Sequence, residues 1–304
     1  IILEVNADGV VEKDELFNIN ISSSDDNVEF SDNLAEGTIS NDDVGFSIAS
    51  IDTSKAEADS GEVIYSFTVT RAGDESSAAT VDYTVAGSGS NQAVLADFIA
   101  GQDALTTNSG LPSGTVSFAS GELEKTIEIK VSGDQTVEQD EEFTITLNNA
   151  KLSDNTAQTI VDDSVVAQIL NDDQDFTVTA VNASVVEGNS SEKTLSYTIT
   201  RSGDLTDEVT IDYVLTSDNG GNSSDITATT MPSGTHTFKS GESETIISVT
   251  LKGDTVAENN ENFTLSVSNN SAGVITTASD TTVVTNDDTN YEISAPTAIY
   301  EGES

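Results

Sequence analysis

The stretch GDQTVEQDEEF, from Gly133 to Phe143, crowds acidic side chains into a short run between two alternating apolar segments. The pattern returns as GDTVAENNENF from Gly253 to Phe263, and in looser form as ADGVVEKDELF from Ala7 to Phe17. In each copy a Glu stands two residues before the Phe, another Glu five before it and an Asp nine before it. These acids are Asp8, Glu12 and Glu15; Asp134, Glu138 and Glu141; and Asp254, Glu258 and Glu261.

The spacing of these acids predicts the local shape of the chain. A fully extended chain covers about 3.3 Å per residue, so Asp134 and Glu141 would lie roughly 23 Å apart on one strand. Oxygen ligands sit about 2.3 to 2.6 Å from a calcium ion, so the acids act together only where the segment curls into a loop at a sheet edge. The sequence therefore predicts an acidic loop between two strands.

Carboxylates gathered in such a loop repel one another when no cation is present. Two unit charges about 4 Å apart cost on the order of 4 kcal/mol at an effective dielectric constant near 20. A bound cation removes that cost. Three copies with fixed acid positions favour a calcium site, and a solvated acidic loop without an ion is the alternative.

The composition narrows the classes of partner. The chain has 54 acidic and 10 basic residues and a net charge of −44, which excludes electrostatic binding of nucleic acid and argues against an anionic membrane surface. Cysteine is absent, so there is no disulfide or thiolate site. No segment resembles a signal peptide or a membrane span, and direct membrane insertion is not expected. The chain opens on Ile1 in the middle of a pattern, so we expect its natural start to lie upstream.

Strict alternation of apolar and small polar residues predicts β-strands throughout the chain. Clear examples are VIYSFTVTR, from Val63 to Arg71, and TLSYTITR, from Thr194 to Arg201. Gly, Asn, Asp and Ser fill the gaps between such runs. The chain is therefore predicted to be all-β with short, half-exposed strands, because a parallel β-helix needs a much shorter repeat than the one found here.

A long internal repeat organises the sequence. Phe46 to Tyr83 aligns without gaps on Phe176 to Tyr213, and SGTVSF from Ser113 matches SGTHTF from Ser233. The offset between the copies falls from 130 to 120 residues, so the second copy lacks part of one loop. A closing Asn-Asp-Asp motif begins at Asn41, Asn171 and Asn286.

These matches predict two whole repeats, residues 44–173 and 174–288, each of normal size for a β-sandwich domain. Residues 1–43 are predicted to be the second half of another repeat, and residues 289–304 the start of a further one. The strands of the first half-repeat would leave an apolar face uncovered. We expect that end to be disordered, paired with another chain, or completed by sequence not printed here.

The order of motifs resembles the Calx-beta domain of sodium/calcium exchangers, the integrin β4 tail and many bacterial surface proteins. The resemblance rests on a Glu after the first strand, R-x-G-D, D-Y, S-G-x-x-x-F, G-E, G-D-x-x-x-E-x-x-E-x-F and a final N-D-D. It covers two full copies and two partial ones. It implies a seven-stranded, antiparallel, immunoglobulin-like β-sandwich in each repeat, with acids from three loops and the C-terminal end gathered around several calcium ions at one tip.

The resemblance also implies which residues bind metal. In the first full repeat they are Glu57, Asp97, Asp134, Glu138, Glu141, Asp172 and Asp173. In the second they are Glu187, Asp225, Asp254, Glu258, Glu261, Asp287 and Asp288. In the partial repeats they are Asp8, Glu12, Glu15, Asp42, Asp43 and Glu301. Some positions that are acidic in exchanger domains are Gly133, Gly253, Asn171 and Asn286 here. We therefore expect fewer ions at each tip, or weaker binding.

The chemistry of these side chains agrees with calcium. All of them are oxygen donors with no His or Cys nearby, which disfavours zinc and copper. Magnesium is the weaker alternative, because it needs a small octahedral cage and keeps its waters. Affinities of about 10⁻⁴ to 10⁻³ M are typical of extracellular calcium modules.

The predicted function is a calcium-binding structural segment of a large secreted or surface-anchored bacterial protein, such as an adhesin stalk, matrix or surface-layer component. Asp172 and Asp173 almost directly precede the next repeat, so calcium is expected to stiffen the joint. The expected partners are calcium, neighbouring repeats and other copies of the chain. The alternatives are a calcium sensor on a membrane transporter, which would need flanking membrane helices, and a glycan-binding module, which the absence of Trp disfavours.

Catalysis finds little support in the sequence. The single histidine, His236, aligns with Val116, so a catalytic role in every repeat is excluded. Paired carboxylates can hydrolyse glycosides, but a sugar cleft normally offers aromatic platforms. The chain is therefore predicted not to be an enzyme. Arg71 and Arg201 are predicted to have structural roles, and Phe143 and Phe263 to anchor the acidic loops in the core.

Overall fold

The computed structural model describes residues 2–6, 8–99 and 110–295. Nearly all regular structure in these ranges is β-strand, and a single short 3₁₀ turn, Leu95–Asp97, interrupts it there. The all-β prediction is therefore confirmed. Most of the predicted repeat start at 289–304, including the predicted ligand Glu301, lies outside the described residues.

The N-terminal partial repeat contains one antiparallel hairpin of strands β1 (Glu15–Asn20) and β2 (Leu34–Ile39). Leu16 is 81% exposed, and Leu34 is also exposed. By contrast Phe143, which aligns with Phe17, is completely buried. The strands of this segment pair with each other, and the three expectations for this end stay predictions.

The first full repeat is a β-sandwich of two sheets. Its strands are β3 (Val44–Ser50), β4 (Ser54–Ala56), β5 (Gly61–Gly73), β6 (Ala79–Ser88), β7 (Ser113–Phe118), β8 (Glu124–Gly133), β9 (Glu141–Leu152), β10 (Thr159–Asp162) and β11 (Ser164–Leu170). One sheet has the order β10-β3-β5-β8, and the other β4-β11-β9-β6-β7.

The second full repeat has the same architecture. Its strands are β12 (Gln174–Ala180), β13 (Ser184–Val186), β14 (Lys193–Gly203), β15 (Val209–Asp218), β16 (Ser233–Phe238), β17 (Glu244–Leu251), β18 (Glu261–Ser268), β19 (Val274–Thr277) and β20 (Ser279–Thr285). The sheets are ordered β17-β14-β12-β19 and β13-β20-β18-β15-β16. Two tandem sandwiches are therefore confirmed.

The predicted seven strands are present, but the first and the last each switch sheets and so appear as two segments. β3 and β4 form the first strand, and β10 and β11 form the last. These two strands pair in parallel, β10 with β3 and β11 with β4, whereas the other strand pairs of this antiparallel sandwich are antiparallel. Seven strands that alternate in direction leave the first and seventh pointing the same way, so their pairing has to be parallel.

Alternation along the strands builds the core. In β5, Tyr65, Phe67 and Val69 are completely buried, while the residues between them are partly exposed. The ring of Phe143 packs edge-on against Tyr65, with centroids 5.3 Å apart. Phe143 and Phe263 are both fully buried just after the acidic loops, so they anchor the exit of each loop as predicted.

The chain divides into two compact units. One contains Ile1–Asp134 and Gln139–Asn171, and the other Gln135–Glu138 and Asp172–Ser304. The main division falls close to the predicted boundary at residue 173. Four residues of the first acidic loop group with the second unit. The exact repeat bounds stay predictions.

The buried arginines have structural roles, but their surroundings differ. Arg201 is 1% exposed; its Nε donates to Gln174 Oε1 at 2.8 Å, and its Nη2 to the carbonyl oxygens of Asp204 and Asp207. Arg71 is 2% exposed, and its Nε and Nη1 lack hydrogen-bond partners among the described residues. Val44 occupies the position that Gln174 has in the second repeat.

This difference predicts opposite effects for two substitutions. Gln174→Val is expected to lower the free energy of unfolding of the second repeat by about 1 to 3 kcal/mol, because it leaves a buried guanidinium N–H unpaired. Val44→Gln gives Arg71 that acceptor and is expected to stabilise the first repeat. Hydrogen exchange at increasing urea concentrations measures the free energy of unfolding of each repeat separately. Similar losses from both substitutions would contradict the explanation.

Candidate metal centres

Within the second unit, carboxylates from separate segments meet at one place. Ligand oxygens of Asp225, Glu258 and Glu261 lie within 4.8 Å of one another there. Every member was predicted to be a ligand.

In the first full repeat, short backbone contacts fix the ligand segments. Glu57 follows β4, and its N–H donates to the carbonyl oxygen of Leu170, the last residue of β11, at 3.1 Å. Asp97 ends the 3₁₀ turn, and its Oδ2 accepts the N–H of Val94. Both carboxylates belong to buried residues, with Glu57 only 4% exposed. Buried carboxylates require compensation by hydrogen bonds or a cation.

The second full repeat uses the same segments. The N–H of Glu187, just after β13, donates to the carbonyl oxygen of Thr285 at 3.0 Å. Asp225 closes a turn in which its Oδ2 accepts the N–H of Asn222 at 2.6 Å. Glu261 begins β18 and is 6% exposed. The sandwich thus holds the ends of three segments at one place.

The electrostatics of the Asp225, Glu258 and Glu261 group favour a bound cation. Burial, reinforced by Asp225 and Glu258, raises the pKa of Glu261 to about 7. Burial also raises the pKa of Glu258 and of Glu187, and neighbouring acids, with Asp254 foremost for Glu187, add to it. Each charged carboxylate is therefore disfavoured until a cation offsets it.

The closing pair of this repeat adds an unsatisfied oxygen. Asp287 Oδ1 accepts the N–H of Gly188 at 2.8 Å, and Asp288 Oδ1 accepts Nδ2 of Asn189 at 2.7 Å. Asp288 Oδ2 is buried without a hydrogen-bond partner in the described part of the chain. An all-carboxylate donor set fits a hard cation, and Asp225, Glu258 and Glu261 are the residues that would hold it.

Other predicted ligands do not join this group. Asp8 forms a turn in which its Oδ1 accepts the N–H of Val10 at 2.9 Å. The other described residues that were predicted to be ligands are Asp8, Glu12, Glu15, Asp42, Asp43, Glu57, Asp97, Asp134, Glu138, Glu141, Asp172, Asp173, Glu187, Asp254, Asp287 and Asp288. Their roles stay predictions.

One loop position has a role that sequence reasoning missed. Asp140 Oδ1 accepts the N–H of Asn171 at 3.1 Å, so it ties the loop to the closing motif. Asp14 and Asn260 occupy the same position in the other copies and make the same bond. The signal in the sequence is that either Asp or Asn stands there, because a hydrogen-bond acceptor is needed and a charge is not.

The comparison with protein families decides the identity of these repeats. The model of the Calx-beta domain matches residues 40–175 and again residues 171–289. The chain belongs to the Calx-beta family. Two matching copies confirm the tandem arrangement predicted from the sequence.

Solved Calx-beta structures are among the similar proteins. The crystal structure of CBD12 from CALX1.2 is 21% identical over 75% of this chain and 81% of that one, with a TM-score of 0.36. The apo-form Calx CBD1 domain is 20% identical over 38% of this chain and 98% of that one, with a TM-score of 0.33. No curated protein matched the chain.

Calx-beta domains bind calcium, and the acidic groups of this chain suit that ion, so calcium is its metal and its partner. Such domains occur in extracellular or membrane-associated regions. None of the described residues forms a helix long and apolar enough to cross a bilayer.

Calcium binding by the second repeat is expected to weaken as the pH falls. Protons compete for Glu261, whose pKa is about 7, so the affinity should drop about tenfold between pH 8 and pH 6. Calorimetry in two buffers of different ionisation enthalpy measures the affinity and the protons released. Without calcium, the repeat should lose stability as the pH rises from 4.5 to about 7, because the folded state then holds more protons than the unfolded state. An affinity that is equal at both pH values would contradict this assignment.

Proposed function

We propose that this chain is a calcium-binding structural segment of a large secreted or surface-anchored bacterial protein, of the kind that forms adhesin stalks, matrices or surface layers. In this proposal calcium at the tip of each repeat stiffens the joint to the next. The chain acts as a binding module and spacer rather than as an enzyme. Its partners are calcium, neighbouring repeats and other copies of the chain, and its net charge of −44 disfavours nucleic acid.

The observation that carries the proposal is the bonding of the closing motif to the R-x-G-D hairpin that follows it in sequence. In the second unit, the N–H of Asp204 donates to the carbonyl oxygen of Asp173 at 2.8 Å. In the first unit, Asp74 bonds to Asp43 in the same way at 3.0 Å. The closing pair that supplies predicted ligands thus also contacts the hairpin of the next repeat.

Close packing at the hairpin glycine supports a stiff joint. Gly203 has φ +85°, and a Cβ there would lie 2.2 Å from the carbonyl oxygen of Asp173 and 2.9 Å from Cγ1 of Val137. Gly73, with φ +88°, meets the carbonyl oxygen of Asp43 and Cγ1 of Val11 in the same way. Only glycine fits such a position. The valine comes from the acidic loop in both units.

Small-angle scattering with and without a chelator tests the joint. We expect the maximum dimension of the whole chain to differ between calcium and EGTA, because without calcium the acids repel and the joint loosens. A Glu138→Gln, Glu141→Gln double variant is the control and should scatter alike in both buffers. An unchanged maximum dimension for the wild-type chain would contradict the stiffening role.

Calcium affinity separates this proposal from a transporter-linked sensor. Sensors bind calcium at about 10⁻⁷ to 10⁻⁵ M, whereas extracellular modules bind it at about 10⁻⁴ to 10⁻³ M. Isothermal titration of the whole chain should give the weaker range. Submicromolar binding would favour the sensor.

A further inference from the structure

The first residue of the closing Asn-Asp-Asp motif makes a distinctive set of hydrogen bonds. In the second full repeat, Asn286 Oδ1 accepts the N–H of Glu258 at 3.3 Å, and its Nδ2 donates to the carbonyl oxygen of Asp288 at 2.8 Å. Its own N–H donates to Oδ1 of Asn260 at 3.1 Å. One side chain therefore joins the backbone of the acidic loop to the backbone of the closing pair.

The N-terminal copy repeats this set. Asn41 Oδ1 accepts the N–H of Glu12 at 3.1 Å, and its Nδ2 donates to the carbonyl oxygen of Asp43 at 2.9 Å. Its N–H donates to Oδ1 of Asp14 at 2.9 Å. Because the same hydrogen bonds recur at equivalent positions, the link between the acidic loop and the closing pair is a feature of the repeat rather than a chance contact.

The chemistry requires a carboxamide. The residue has to accept from one backbone N–H and donate to one backbone carbonyl, and an amide side chain does both. A charged carboxylate accepts only, so Asp in place of Asn286 would face the carbonyl oxygen of Asp288 with a second acceptor. It would also add a negative charge beside carboxylates that already repel one another.

We propose that Asn286 is a positioning residue that presets the calcium site of the second full repeat, and Asn41 makes the same bonds in the N-terminal copy. Asn286 holds the loop that carries Glu258 close to the closing pair before the ion arrives, which offsets part of the repulsion between the two segments. The sequence alone shows only the missing charge at this position, which by itself would make Asn286 a weakened ligand. The inference rests on calcium binding by these acidic groups.

Asn286→Asp gives opposite results under the two readings. If the position is a weakened ligand, the added charge tightens calcium binding. If Asn286 positions the loop, the substitution weakens binding about tenfold, the range found when residues that orient metal ligands are replaced. The whole chain is titrated with calcium, and hydrogen exchange is measured in the peptide that covers residues 253–263. Protection of this peptide reports the calcium affinity of the second repeat alone.

A second readout follows the proposed bond itself. In EDTA, the amide of Glu258 should exchange faster in Asn286→Ala, which removes the acceptor of its N–H, but not in Glu258→Gln, which keeps the backbone bond. Asn290→Asp is the matched control, because it adds the same charge on an exposed residue close by, and it should leave both the affinity and the exchange near wild type.

The outcomes are distinct. Weaker calcium binding together with faster exchange at Glu258 supports the positioning role. Tighter or unchanged binding in Asn286→Asp, or unchanged exchange in Asn286→Ala, overturns it. If Asn286→Asp does not fold, Asn286→Ala decides by the same two measurements. If the wild-type chain shows no calcium-dependent protection at all, the calcium site itself fails rather than the role of Asn286.

Discussion

Replacing Glu261 by Gln is expected to weaken calcium binding in the second repeat at least about 100-fold. Substitutions of residues that only orient metal ligands cost about 10 to 100-fold, and a ligand should cost as much or more. The same variant should be more stable than wild type in EDTA at pH 8, because it removes a buried charge whose pKa is raised to about 7. Calorimetric titration and thermal melting in EDTA measure the two effects.

Glu261→Gln is thus expected to weaken calcium binding but to raise the stability of the calcium-free protein, and few other substitutions would do both. Glu208→Gln is the control, because it removes the same charge from an exposed residue outside the acidic groups. It should change neither the affinity nor the stability appreciably. If Glu261→Gln bound calcium like wild type, the carboxylate would not be a ligand. If it were less stable in EDTA, Glu261 would instead make a favourable contact in the calcium-free protein.

Calcium is expected to raise the melting temperature of the chain by about 10 °C at saturation. A ligand at 100 times its Kd stabilises the folded state by about 2.7 kcal/mol for one site, and domains of this size shift by roughly 4 °C per kcal/mol. Calorimetric scans in EDTA and in calcium measure the shift. Magnesium at the same concentration should give a smaller one, because it requires a tighter octahedral shell.

The matched variant for this experiment combines Glu141→Gln and Glu261→Gln, which removes one carboxylate from an acidic group of each full repeat. Its melting temperature should be nearly the same in calcium and in EDTA. A wild-type shift as large in magnesium as in calcium would mean that the acidic groups respond to general screening. No shift in either ion would contradict a metal site.

Much of the candidate site could be predicted from the sequence, because ligand spacing is a local property. The fixed positions of Glu258 and Glu261 before a core Phe predict a loop whose exit is anchored, and the structure places both beside Asp225. Alternation in β5 and β14 likewise predicts which side chains are buried. These inferences need only the covalent spacing of residues and the geometry of a strand.

Other features depend on contacts between distant segments and could not be inferred this way. The role of Asn286 rests on hydrogen bonds to Glu258 and Asp288, and the sequence alone presents it as a missing acid. The difference between Arg71 and Arg201 depends on which residue lies across the sheet at position 44 or 174. The parallel pairing of the first and last strands follows from the direction of all seven.

Anomalous diffraction from crystals of the chain grown with a calcium-mimicking lanthanide tests the central claim most directly. We predict an anomalous peak among the carboxylates of Asp225, Glu258 and Glu261, and a second one at the corresponding group of the first repeat. Maps in which these side chains point apart into solvent, with no peak between them at saturating metal, would contradict the account.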